Sequence, residues 1–133
     1  MRSTILILTV AVAGALSAGS LASTGTMHPT MGARLAGMGH HGVVNLHSYE
    51  STGRLCWKFQ LNVMHVSGAT IRDAHGMIVA RLGHMYSAKG CAMVSKMALR
   101  KIESTPSSYR VWVATPGHPG ELRGKLFAGM ATM

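Results

Sequence analysis

Acidic side chains are scarce in this chain: 4 Asp and Glu residues stand against 13 Lys and Arg residues. Enzymes that use general acid–base catalysis or a Ser-His-Asp triad need a carboxylate at the reacting group, and few positions could supply one. The sequence also lacks a Gly-x-Ser-x-Gly elbow, a His-Glu-x-x-His helix and a glycine-rich phosphate loop. These absences predict a protein that is not an enzyme.

One Asp-x-His pair has to be weighed against that prediction. Asp73 and His75 are two residues apart, a spacing that places both on one face of a strand. No motif puts a Ser or Cys nucleophile beside them. We therefore interpret the pair as part of a polar turn.

Phenylalanine is rare, with 2 residues, whereas methionine is abundant, with 11. Methionine adapts to irregular gaps in a core. We therefore expect four methionines to fill the core in place of aromatic rings: Met64, Met77, Met93 and Met97.

The amino terminus has the pattern of a secretory signal. Arg2 precedes an uncharged run over residues 5–18, and Ser20-Leu21-Ala22 offers the small-x-small pattern that signal peptidase cleaves, here before Ser23. The alternative is a retained membrane anchor, but a span needs about 20 apolar residues and Gly, Ser and Thr dilute this run. We expect a signal peptide over residues 1–22, no transmembrane segment after its removal, and a secreted or extracytoplasmic protein.

The formal charge of +9 would favour anionic partners such as lipid headgroups, cell-wall polymers or nucleic acid. No basic run or aromatic-spaced motif marks a specific nucleic-acid site. The basic residues are dispersed singly among apolar ones, so we interpret them as a solvated surface. The dispersed residues are Arg54, Lys58, Arg72, Arg81, Lys89, Lys96, Arg110 and Lys125.

An unbroken alternation of apolar and polar residues marks one strand clearly. Its apolar positions, which we predict to face the core, are Leu55, Trp57, Phe59, Leu61 and Val63. Residues 42–49 form a second strand, and a turn over residues 50–53 would pair the two as a hairpin.

Further short strands are expected over residues 69–72, 76–82, 109–115 and 121–127. Ser95 is placed to cap a short helix that runs through Ser104 and that Pro106 ends. Six or so strands and one helix predict an all-β fold, an antiparallel Greek-key β-sandwich of immunoglobulin-like or superoxide-dismutase-like type. The domain would cover residues 33–128, after a flexible lead-in over residues 23–32.

Cysteine is limited to Cys56 and Cys91. An exported chain meets an oxidising compartment, which together with the even count favours a disulfide between them. The alternative is two unpaired small hydrophobic residues. Because the alternation puts Cys56 on the polar face of its strand, a bridge would tie a loop across the outside of the sheet.

Several segments, in this order and spacing, resemble the CHRD family, which is named for chordin and includes secreted bacterial proteins. The resemblance covers residues 33–127. Its most specific parts are Leu55-Cys56-Trp57, Gly90-Cys91 and Leu122-Arg123-Gly124-Lys125-Leu126. The family implies a β-sandwich module with no established catalytic role.

The chain departs from the family at three histidines that could together ligate copper or zinc. An Ala-His-x-His segment aligns with Ala69-Thr70-Ile71-Arg72, and a Val-His-Thr segment aligns with Val113-Ala114-Thr115. Arg72 would place a positive charge where a cation should bind. These losses also weaken the idea of an enzyme of superoxide-dismutase type, and we expect no metal site within the domain.

Histidine and methionine are concentrated near the mature amino terminus, and both are ligands for copper. The residues concerned are His28, Met31, Met38, His40 and His41. They lack a fixed ligand spacing, and ordinary surface histidines are the alternative. Any copper or zinc affinity would lie in this mobile stretch.

Near the carboxyl terminus, Gly120 and Gly124 bracket Arg123 and are interpreted as tight backbone positions. Arg123 would pair with Glu121 or cover a sheet edge. Taken together, the sequence favours an exported, non-catalytic module without a cofactor that binds an unknown protein or an anionic envelope component. The alternative is a copper- or zinc-binding protein that uses the amino-terminal Met and His residues.

Overall fold

The computed structural model describes residues 29–63 and 65–133. The predicted signal peptide, residues 1–22, lies outside the described residues, as do His28 and Met64. The fold is all-β with one short helix, as the sequence predicted. The elements in chain order are β1 (Thr30–Gly37), β2 (His40–Tyr49), β3 (Arg54–Leu61), β4 (Gly68–Arg72), β5 (Ile78–Arg81), β6 (Lys89–Met93), α1 (Lys96–Ser104), β7 (Arg110–Thr115) and β8 (His118–Ala128), with a 3-10 turn (Pro106–Ser108) before β7.

All eight strands belong to one antiparallel sheet with the order β5-β4-β7-β8-β1-β2-β3-β6. The sheet curls until it is nearly barrel-shaped, with β5 and β6 at its two edges. Neighbours in sequence pair in β1–β2–β3, β4–β5 and β7–β8. The pairs β3–β6, β4–β7 and β8–β1 join strands that are distant in sequence, as the crossings of a Greek key do.

Strands β2 and β3 pair as the predicted antiparallel hairpin. Trp57 pairs with Leu46, and Phe59 pairs with Val44. Leu55, Trp57 and Phe59 are buried and belong to the core cluster, while Leu61 and Val63 are partly buried and pack against it. Residues from every part of the sheet reach this cluster, so the curled sheet encloses a single core.

Helix α1 packs against this core. The Ser95 side chain accepts a hydrogen bond from the Ala98 backbone N–H, which confirms the predicted N-cap. Leu99 and Ile102 are its buried residues. The helix ends at Ser104, before Pro106, as predicted.

Two strands escaped the sequence analysis because neither shows a clean alternation. Strand β1 starts at Thr30 and lies between β8 and β2, so the expected flexible lead-in is wrong over residues 30–32. Met31 in that stretch is 2% exposed. Strand β6 pairs only with β3 at the edge of the sheet. Its short run of small residues carries little periodic signal.

The expectation that methionine fills the core is wrong for Met77, Met93 and Met97, which are all at least 66% exposed. Met93 lies on the outward side of the edge strand β6, opposite Arg54. Met97 lies in the first turn of α1, whose buried residues are Leu99 and Ile102. The core cluster consists mostly of Leu, Val and Ile side chains.

Within the described ranges, no helix combines the length and the apolar character that a membrane span requires.

Candidate functional site

Four basic residues form a row across the outer side of the sheet. Arg72 on β4 pairs with Arg110 on β7, which in turn pairs with Lys125 on β8. Strand β1 adds Arg34, because the register that joins β1 to β8 at Ala33 and Ala36 places Arg34 opposite Lys125. Directly paired residues in an antiparallel sheet share one face. With strands about 4.8 Å apart, this row of cations spans about 14 Å.

A second row runs parallel to the first, two residues further along the strands. Arg81 on β5 pairs with Thr70 on β4, Thr70 pairs with Trp112 on β7, and Trp112 pairs with Arg123 on β8. We call the six cations of the two rows the basic face. Its members are Arg34, Arg72, Arg81, Arg110, Arg123 and Lys125.

The charges of the basic face are not neutralised within the described part of the chain. None of its six cations forms an ion pair with a described residue, whereas Arg100 and Glu50 do pair elsewhere, at 2.5 Å. The one carboxylate on strands β1, β4, β5, β7 and β8 is Glu121. Glu121 is 9% exposed, and its Oε2 is buried without a described hydrogen-bond partner. The face is therefore strongly electropositive.

Trp112 orders two of these cations. The guanidinium carbon of Arg72 lies 4.2 Å from the indole centroid, and that of Arg123 lies 3.9 Å from it. Cation–π contacts of this kind contribute about 0.5–2 kcal/mol each and hold the planar groups in place. The expected pairing of Arg123 with Glu121 is wrong, because Arg123 stacks on Trp112 and forms no ion pair with a described residue.

Hydrogen bonds to a hydroxyl and to two backbone carbonyls also hold the two arginines that stack on Trp112. Arg72 donates from Nε to the Thr70 hydroxyl at 3.1 Å and from Nη1 to the Gly76 carbonyl at 3.2 Å. Arg123 donates from Nε to the Gly120 carbonyl at 3.3 Å. All three acceptors are uncharged, so these hydrogen bonds orient the guanidinium groups and leave their charge available.

The basic face has a concave part, an open pocket of about 250 Å³ beside Trp112. Thr70, Arg72 and Ala114, the positions where the family resemblance expected histidines, all line this pocket. Arg81 and His84 line it as well. The structure thus brings the three substituted positions together, and Arg72 occupies a position where the family resemblance would place a histidine.

Four of the five residues of the proposed amino-terminal metal site lie in strands or in the turn between them, and His28 lies outside the described residues. Met31 is in the core, Met38 is in the turn after β1, and His40 and His41 begin β2. The His41 Nδ1 lies 3.1 Å from the Asn62 side-chain nitrogen. Among the described residues, no group of three or more His, Cys, Asp or Glu side chains is placed to hold a metal ion.

The two cysteines lie opposite each other on β3 and β6. Cys56 pairs with Cys91 in the strand register, and their sulfur atoms are 2.10 Å apart, at disulfide distance. Cys91 is exposed, so the link lies on the outside of the sheet, as expected. It ties the edge strand β6 to the hairpin.

The Asp73–His75 pair belongs to a turn between β4 and β5. The Asp73 carboxylate accepts hydrogen bonds from the backbone N–H groups of His75 at 2.8 Å and Met77 at 3.0 Å. Chiefly the hydrogen bond from Met77 lowers the pKa of Asp73 below its ordinary value. The carboxylate thus closes a polar turn.

The basic face is not apparent from the sequence, because its members are spread from Arg34 to Lys125. The sequence does indicate which way these cations face, because they alternate with apolar residues: Arg110 precedes Val111, and Arg123 follows Leu122. That alternation places each cation on the outer side of its strand, but only the strand order brings them together.

Comparisons with protein-family models, with curated proteins and with solved structures find no match to this chain.

Proposed function

We propose that the protein is an exported, non-catalytic module of the CHRD type, which binds an anionic polymer of the cell envelope on its basic face. The observation that carries the proposal is a row of four cations across four strands, none of which forms an ion pair with a described residue: Arg72, Arg110, Lys125 and Arg34. Holding like charges side by side is unfavourable unless an anion or solvent screens them.

The row suits an extended anion. Its cations recur at about the strand spacing of 4.8 Å, so one chain with repeated charges could contact several of them in succession. Each contact releases condensed counterions. The logarithm of the binding affinity is therefore expected to fall linearly with the logarithm of the salt concentration.

Charge, rather than stacking, would carry this recognition. Two guanidinium groups already lie over the Trp112 ring, which leaves the indole poorly placed to stack on a sugar or a base. Arginine dominates the face, and its planar group binds phosphate and carboxylate oxygens through two parallel hydrogen bonds. These features favour a polymer that is recognised by its anionic groups.

Long-chain polyphosphate is a suitable probe of the proposal. The double variant Arg110→Gln/Lys125→Gln removes two paired cations from the middle of the face. The matched control Arg54→Gln/Lys58→Gln removes the same charge from β3, far from β7 and β8 in the strand order. We expect the first variant to weaken binding by about tenfold or more, a loss of about 1.4 kcal/mol per tenfold, and the control to change it less than about threefold.

Equal losses in the two double variants would show that only net charge matters and would overturn the proposal. Affinity that does not depend on salt concentration would overturn it too. Circular dichroism on both variants checks that neither substitution has disturbed the sheet.

A further inference from the structure

A second observation concerns the indole N–H of Trp112. Its Nε1 atom is buried and has no hydrogen-bond partner among the described residues. An indole nitrogen can only donate, and a buried donor without an acceptor is unfavourable. The other tryptophan, Trp57, donates from Nε1 to the Ser87 carbonyl at 2.9 Å. The unpaired donor is therefore specific to the tryptophan of the basic face.

Trp112 also lines the pocket at the end of this face, together with side chains that retain donors. The side chains of Arg81 and His84 make no hydrogen bond to the described residues. Arg72 uses Nε and Nη1 for its two hydrogen bonds, which leaves Nη2 without an acceptor in the described part of the chain. The Thr70 hydroxyl accepts from Arg72 and keeps its own proton to donate.

We infer that this pocket is a subsite for a phosphate-type oxyanion, with Arg72 and Arg81 binding its oxygens and the Thr70 hydroxyl and Trp112 N–H as further donors. The inference rests on the proposed function and names the group of the polymer that the pocket would hold. Donors come from three strands, β4, β5 and β7, which suits a tetrahedral anion with oxygens in several directions better than a planar carboxylate.

Binding would include a small rearrangement. The Trp112 N–H is closed to solvent in the present conformation, and the Arg72 and Arg123 guanidinium groups lie over the ring. An oxyanion would draw Arg72 toward its oxygens and away from the indole. The N–H would then become accessible and find an acceptor.

The two indole N–H signals of the ¹⁵N-labelled protein test this inference directly, with inorganic pyrophosphate as the probe. We expect the Trp112 signal to shift saturably toward the hydrogen-bonded range during the titration. The Trp57 signal, already hydrogen-bonded in the core, should stay in place and serves as the internal control.

Two single variants locate the site. We expect Arg72→Gln and Arg81→Gln each to weaken pyrophosphate binding by about tenfold or more, since each variant removes a charge-assisted hydrogen bond to the anion. The matched control is Arg34→Gln, which removes one charge from the far end of the basic face but not from the pocket, and it should change the affinity less than about threefold. A Trp112 signal that does not move, or an equal loss for Arg34→Gln, overturns the inference.

The outcomes also separate this inference from the proposed function. If polyphosphate binds and depends on Arg110 and Lys125 while pyrophosphate leaves the Trp112 signal unmoved, the subsite is wrong and the polymer face stands. If pyrophosphate shifts the Trp112 signal but polyphosphate shows no dependence on Arg110 and Lys125, the polymer face is wrong.

Discussion

Trp112 on β7 lies directly opposite Arg123 on β8, and the guanidinium carbon of Arg123 is 3.9 Å from the centroid of its indole. Arg72 approaches the same ring from the strand on the other side, β4, at 4.2 Å. The indole therefore takes the place that a carboxylate would fill in an ordinary ion pair. A ring attracts a cation without cancelling its charge. This relationship allows the sheet to hold arginines close together while they remain available to an anion.

The strand register can be tested by comparing two neighbouring residues. Trp57 is buried in the core, so Trp57→Ala should lower the free energy of unfolding by about 3–5 kcal/mol. Lys58 is exposed on the other face of β3, and Lys58→Ala should cost little. Urea denaturation of the two variants measures both values. Similar losses would mean that the strand is displaced by one residue.

A close approach between β8 and β1 makes Gly124 sensitive to substitution. A Cβ atom at Gly124 would lie 2.0 Å from the Arg34 carbonyl oxygen, which requires the backbone to move. We expect Gly124→Ala to destabilise the protein by about 1–3 kcal/mol or more. The matched control is Gly68→Ala on β4, where no heavy atom lies within 4 Å of the added Cβ. A thermal melt in which the two variants behave alike would contradict the close packing of β1 on β8.

The Cys56–Cys91 link should contribute substantially to stability. It joins residues 35 positions apart, and in the chain-entropy model a loop of this size contributes about 3–4 kcal/mol. The double variant Cys56→Ala/Cys91→Ala should lose about this amount in denaturant unfolding. Peptide mapping of the natural protein without reduction establishes whether it carries the bond, and two free thiols there would refute it.

Glu103 should make the folded protein less stable as the pH rises. Burial raises the pKa of its carboxyl above the ordinary value, although the Ser48 hydroxyl, which donates to Oε2, opposes the shift. The folded protein then binds the proton more tightly than the unfolded chain. Ionised Glu103 therefore destabilises the fold above its folded-state pKa, and this destabilisation disappears as the pH falls through that pKa.

The variant Glu103→Gln keeps an acceptor for Ser48 and removes the charge. Denaturant unfolding measures the free energy of unfolding of both proteins at a series of pH values. Between the ordinary pKa of a Glu carboxyl and the raised pKa of Glu103, we expect this free energy to change less with pH in the variant than in the parent protein. Asp73→Asn is the opposite case, because backbone hydrogen bonds lower the pKa of Asp73 and its stabilisation is lost as the pH falls. A stability profile that Glu103→Gln leaves unchanged would contradict the raised pKa.

Local patterns in the sequence were sufficient to predict part of this fold. The alternation around Trp57 predicted both the β3 strand and its buried face, and Ser95 with Pro106 predicted the two ends of α1. These features depend on residues close in the chain, because side-chain alternation and capping hydrogen bonds involve near neighbours. The same logic failed for β1 and β6, whose residues do not alternate cleanly.

Tertiary structure alone decided the candidate site. Arg34, Arg72, Arg110 and Lys125 are isolated in the sequence, and the order β4-β7-β8-β1 makes them adjacent. Strand order follows from how the whole sheet buries its apolar faces around one core, and no short segment contains that information. The sequence by itself determined that each cation would face outward, and the strand order of the folded sheet decided that they would lie side by side.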